Sequence, residues 1–135
     1  MSRGPLPSQI CLLADLSVKS PGDKVRFLGC VTAYTVATAT LVLCHSFPSG
    51  TDTAAHVDVK LVLESLTGEQ VRIGEWVNII GYITSKVLKD ASQYAHQPTS
   101  SRNEVSVQAL LLWSAGPMQV QRYEELLSSN KKYAA

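Results

Sequence analysis

His56-Val57-Asp58-Val59-Lys60-Leu61 carries an aliphatic side chain at every second position and a polar one between. Successive side chains of a strand point to opposite faces, so this stretch predicts a strand with one buried and one wet face, running over residues 56–63. The same alternation recurs on either side of it. Residues 24–33 put Val25, Phe27, Gly29, Val31 and Ala33 on one face and Lys24, Arg26 and Thr32 on the other. Residues 38–46 point Ala39, Leu41 and Leu43 inward. Residues 75–84 do so with Val77, Ile79, Gly81 and Ile83, leaving Trp76, Asn78 and Tyr82 outside, and residues 104–113 align Val105, Val107, Ala109, Leu111 and Trp113.

Turn residues separate these runs. Ser20-Pro21-Gly22-Asp23 precedes the first, because proline fixes one dihedral and glycine supplies a positive one. Phe47-Pro48-Ser49-Gly50 ends the second, and residues 64–68 leave room for a helical turn after the third. Gly29 and Gly81 interrupt strands where a tight barrel bends sharply. Residues 88–103 form a hydrophilic stretch long enough to be a functional or disordered loop.

Gly116-Pro117 opens a helix of about residues 117–133, with proline where its missing N–H costs nothing. Val120, Tyr123 and Leu127 recur at helical spacing, Leu126 widens the stripe, and Glu124-Glu125 falls on the wet side. The pattern is all-β with a terminal helix: a small closed barrel over residues 10–135 as one domain, after a flexible segment at 1–9. Ile10-Cys11-Leu12-Leu13 is too apolar to stay wet and is expected to tuck against the body.

A chain of 135 residues has room for one domain with a modest core. Twelve basic against 11 acidic residues, a formal net charge of +1, argue against strong autonomous binding of nucleic acid. Three cysteines are too few for a disulfide framework, so Cys11, Cys30 and Cys44 read as small core residues of an intracellular protein. Residues 10–14 are too short an apolar run for a signal peptide or a membrane span.

Nothing here resembles a catalytic or metal centre. Cys44 and His45 are neighbours on a strand and point apart, and Cys30 with His56 lacks a thiolate-stabilising turn. There is no Cys-x-x-Cys, no His-x-x-x-His and no phosphate-cradling glycine loop. No enzyme activity, metal or cofactor is expected.

Five strands with a short helical insert between the third and fourth resemble an OB-fold, the five-stranded Greek-key β-barrel that binds oligonucleotides. Residues 24–31 (Lys-Val-Arg-Phe-Leu-Gly-Cys-Val), residues 74–83 (Gly-Glu-Trp-Val-Asn-Ile-Ile-Gly-Tyr-Ile) and the opening Leu13-Ala14-Asp15-Leu16 are similar to the small telomeric OB subunits. The likeness spans residues 8–133 and points to the Ten-one family of the telomere-capping CST complex, in a fungal-like form. The resemblance implies a nuclear, telomeric protein that heterodimerises with the N-terminal OB domain of the Stn-one subunit. It implies association with a large third subunit and contact with single-stranded telomeric DNA mainly within the complex. Another OB adaptor, such as a small RPA-like subunit, is the alternative.

Two sets of site residues follow. Met118, Val120, Tyr123, Leu126, Leu127 and Tyr133 form a helical stripe that either seals the chain's own barrel or meets a partner; tyrosines near a chain end favour the partner. Single strands are bound by aromatic stacking and cations, which selects Tyr34 and Tyr82 with Arg26, Lys60, Lys86, Lys89 and Arg102, and Tyr94 in the long loop. Asp58 and Glu64 beside Lys60 weaken that surface.

Overall fold

The structure, a computed structural model, describes residues 8–48, 50–88, 102–116 and 120–134, with side chains of the last helix described to residue 128. Its strands are β1 (Gln9–Ile10), β2 (Lys24–Thr35), β3 (Thr40–Cys44), β4 (Thr53–Asp58), β5 (Trp76–Val87) and β6 (Asn103–Ser114), followed by helix α1 (Val120–Ala134). The sheet runs β1-β2-β3-β4-β6-β5, and β5 returns to β2. The ring β2-β3-β4-β6-β5 is therefore a closed barrel, which leaves no unpaired edge within it. β4 and β6 are parallel and the other ring pairs antiparallel, the Greek-key arrangement.

Alternation fills the barrel. Val25, Phe27, Val31, Leu41, Leu43, Val57, Val77, Ile79, Ile83, Val105 and Val107 are buried in one core. A 3-10 helix, Leu13–Val18, adds Leu13 and Leu16. Gly29 and Gly81 are glycines of close approach. A Cβ at Gly29 would meet Leu43 Cβ at 2.8 Å and Leu13 Cδ1 at 2.9 Å, and one at Gly81 would be driven into the Gln108 carbonyl oxygen.

Several expectations are corrected. The third strand ends at Asp58, and Lys60–Ser65 is a 3-10 helix. The Asp58 carboxylate accepts the Lys60 N–H at 2.9 Å, a local turn that competes with strand continuation. Three residues per turn then bury Val59 and Val62 and leave Leu61 62 % exposed. The helical turn thus falls earlier than residues 64–68.

Irregularities in two strands reverse the faces beyond them. A register shift between Val31 and Ala33 leaves Ala33 exposed and turns Tyr34 onto the core. Another between Ile80 and Gly81 leaves Leu111 outside and packs Leu112 inward. One inserted residue moves every following side chain to the other face.

At the N-terminus, Gln9 and Ile10 pair parallel with Val25 and Arg26, so residue 9 is part of the sheet. Cys11, Leu12 and Leu13 are buried, whereas Ile10 stays exposed. Residues 1–7, residues 89–101 of the long hydrophilic stretch (with Lys89 and Tyr94), Met118, and the side chain of Tyr133 lie outside the described residues.

Candidate nucleic-acid face and docking helix

Strand register sorts the outward side chains into two walls. On the first, Thr40 stands opposite Asp58 and Val42 opposite His56 across β3–β4, while Asp58 meets Gln108 and His56 meets Ser106 across β4–β6. A groove here is lined by Thr40, His56, Asp58, Thr84, Lys86 and Gln108. His56 Nε2 lies 2.6 Å from Glu104 Oε1, and Lys60 Nζ is a loose, mostly exposed 3.9 Å from Asp58. Carboxylates and lysines share this wall, and both Lys60 and Lys86 have protein partners.

Lys86 illustrates the point. Its ammonium donates to the Ser17 carbonyl at 3.1 Å and the Lys19 carbonyl at 2.7 Å. Those are carbonyls at the end of the Leu13–Val18 helix, where a cation complements the helix dipole. Arg102 Nη1 donates to Cys44 Sγ at 3.9 Å. Tyr34 is half-buried and packs against the core. Tyr82 is half-buried on β5, registered with Lys24 and Gln108.

Arg26 lies elsewhere. Its guanidinium sits 5.3 Å from the Trp113 ring centroid, a cation–π contact on the second wall, formed by β2, β5 and β6. The sequence-selected cations and tyrosines are thus brought together only in part: Lys86 lines the groove, Lys60 reaches Asp58 of its lining, and Arg26 and Tyr34 do not line it. His56 and Glu104, which sequence reasoning did not select, are held face to face only by the parallel β4–β6 pairing.

The second wall seats α1. Register aligns Leu28 with Asn78 and Asn78 with Trp113. Leu28 and Asn78 are buried although they point away from the barrel interior. Leu12, Leu28 and Leu127 are buried outside the main core cluster. Leu127 is therefore covered by the chain itself rather than left open to a partner.

Tyr123 reaches the same seat, with a long 3.5 Å contact from its hydroxyl to the Cys11 carbonyl. Burial pushes its phenol up to about 12, with Cys11 adding to the rise and Arg26 and the Leu28 backbone opposing it.

His45 locks the helix down. It is 5 % exposed, and its Nε2 lies 2.6 Å from Glu124 Oε2. Trp76 meets the imidazole edge-on at 5.1 Å, while Phe47 and Tyr123 stand 6.2 and 6.5 Å away. Glu124, read from its spacing as part of a wet face, is instead the polar anchor of the seat. A lone histidine after an alternating strand could have flagged a seat, but only the fold brings residues 45 and 124 together.

Beyond that seat α1 presents Leu126, 58 % exposed, with Val120 half-buried. Leu111 is 56 % exposed on the same wall, registered with Ile80.

The cysteines are not all core residues. Cys11 is buried, but Cys30 and Cys44 are half-buried and stand directly opposite each other across β2–β3. Among the described residues no group of three or more His, Cys, Asp or Glu could hold a metal, and no helix is long and apolar enough to cross a membrane.

A closed five-stranded barrel with one parallel strand pair, a helix seated on its outer wall and a mixed-charge groove opposite define an OB-fold protein. The chain belongs to the Ten1 family, telomere-capping subunits of the CST complex, whose sequence pattern it matches over residues 1–128. Solved structures agree on the fold. The Stn1–Ten1 complex of S. pombe matches with a TM-score of 0.66 and 24 % identity over 96 % of each chain. The telomere-capping protein Ten1 from S. pombe matches with a TM-score of 0.64 and 25 % identity, over 93 % of this chain and 99 % of that one. Replication protein A of U. maydis bound to single-stranded DNA matches with a TM-score of 0.56 and 15 % identity, over 94 % and 92 %. No curated protein matches the chain in sequence.

Proposed function

We propose that this chain acts as a non-catalytic adaptor at nuclear telomeres, pairing through the outer side of α1 and the adjoining β5–β6 wall with an Stn1-type OB protein. The family match over residues 1–128 carries this reading, and the S. pombe Stn1–Ten1 complex supports it. Leu126 and Leu111 supply exposed apolar surface and Val120 is half-buried nearer the Leu127 side of the helix; Met118 and Tyr133 remain sequence-based candidates for the same contact. Tyr123 and Leu127 act from beneath, by holding the helix in place. The pair would then join the large third CST subunit.

Single-stranded DNA binding is an activity of the assembly more than of this chain. Lys60 and Tyr82, with Lys89 and Arg102 next to the long stretch in sequence, would add contacts to a partner's surface, because the groove itself carries the carboxylates of Asp58 and Glu104 beside Lys86.

Co-expression with an Stn1 N-terminal OB domain, followed by gel filtration with light scattering, tests the pairing. A 1:1 complex is expected, and the double variant Leu111→Asp/Leu126→Asp should run as a folded monomer. Variants that pair like the parent would refute this docking surface. Fluorescence anisotropy with a G-rich single strand should show weak binding alone and tighter binding by the pair; nanomolar binding by the isolated chain would contradict the division of labour.

A further inference from the structure

We infer that Cys30 and Cys44 form a cross-strand dithiol that a hydroperoxide converts to a disulfide, with Cys44 as the attacking thiol and Cys30 as the resolving one. The two residues are direct partners in the β2–β3 register. Directly opposed residues of antiparallel strands have Cα atoms about 4.5–5.5 Å apart, within the roughly 4.4–6.8 Å span that a disulfide bridges. Both side chains lie on the outer face, because Val31 and Leu43 beside them point into the core. Both are half-buried, so a small oxidant reaches them.

Their surroundings differ in the way the two roles require. Arg102 Nη1 donates to Cys44 Sγ at 3.9 Å, placing positive charge beside the sulfur that attacks. Cys30 has no such cation among its contacts with the described residues, and burial first, then Cys44 and Glu75, push its thiol up. Cys11 is buried and lies outside the β2–β3 register.

The chemistry balances. The Cys44 thiolate attacks the outer oxygen of a hydroperoxide, the O–O bond breaks, and the products are a sulfenic acid at Cys44 and an alcohol after protonation. Cys30, losing its proton, attacks the sulfenic sulfur; the S–S bond forms and the hydroxyl leaves as water. Two thiols are oxidised by two electrons and one peroxide is reduced. The new bond staples β2 to β3 at the end of their pairing remote from the Val36–Thr38 loop, and reduction by a dithiol reverses it.

The test treats the reduced, full-length chain with limiting hydrogen peroxide, alkylates remaining thiols and reads intact mass and peptide map. The expected product has lost two hydrogens, contains a Cys30–Cys44 linked peptide and keeps an alkylatable Cys11. Cys30→Ser should trap a sulfenic acid at Cys44, captured by dimedone, whereas Cys44→Ser should react about tenfold more slowly. The parent's mass map needs no variant, so a serine variant that fails to fold leaves the proposal testable. Persistence of all three thiols, a link through Cys11, a bond between two chains, or equal rates for the two folded serine variants would overturn it.

Discussion

Replacing Glu124 with alanine should unseat α1 at a cost that the geometry sets. His45 keeps only 2 % of its side chain exposed, and Glu124 Oε2 at 2.6 Å is the hydrogen-bond partner of its Nε2. Its Nδ1 is buried with no hydrogen-bond partner among the described residues. Removing the carboxylate strands a second buried polar atom, a change worth about 1–3 kcal/mol. One kcal/mol moves the melting temperature of a domain of this size by roughly 3–4 °C, so a fall of about 3–12 °C is expected.

The reverse substitution should behave differently. Glu124 retains 19 % exposure and can turn to water when its partner goes. His45→Leu also removes the orphaned Nδ1, and this relief offsets the lost edge contact with Trp76. It should therefore change stability by less than about 1 kcal/mol. Thermal unfolding followed by circular dichroism reads both variants, and the double variant closes a cycle. Equal losses for the two single variants, or a Glu124→Ala protein as stable as the parent, would falsify the view that this pair holds the helix.

Tyr123 links the same seat to alkaline pH. Its phenol is pushed up to about 12 in the folded chain against an ordinary value of 10. The folded state then holds the proton more tightly, so stability is fully present below pH 10 and declines as pH rises towards 12. Urea unfolding across that window should show the decline, and Tyr123→Phe should flatten it. Gly81→Ala should destabilise by about 3 kcal/mol or more, because its methyl group collides with the Gln108 backbone at the β5–β6 pairing; a parental urea midpoint would contradict the close approach. Lys86→Met should lower stability by about 1–2 kcal/mol through the lost carbonyl contacts of the Leu13–Val18 helix. It should leave the affinity of the paired protein for single-stranded DNA unchanged, and anisotropy at fixed salt separates that structural role from a DNA contact.

The barrel was legible because burial imposes a period on each strand. Val25, Phe27 and Val31, or Val77, Ile79 and Ile83, announce an inward face whatever they meet there. Where that period broke, the sequence misled. The shifts after Val31 and Ile80 carry no signature in residue type, yet each reverses the faces beyond it, and so misplaced Ala33, Leu111 and Trp113. Val57 alternated as a true strand residue, but Val59 and Leu61 continued the period only by coincidence, while Val59 and Val62 follow the three-residue turn that begins with the Asp58–Lys60 contact.

By itself the sequence determined the strand count of the barrel ring, the terminal helix and the family, since these rest on local patterns and motifs read one segment at a time. Only the tertiary structure decided which surfaces those segments share. The register of the β2–β3 hairpin sets Cys30 against Cys44, parallel pairing sets His56 against Glu104, and docking of α1 sets His45 against Glu124 across 79 residues. Such pairings depend on register and on how the chain returns to itself, and no local periodicity encodes either.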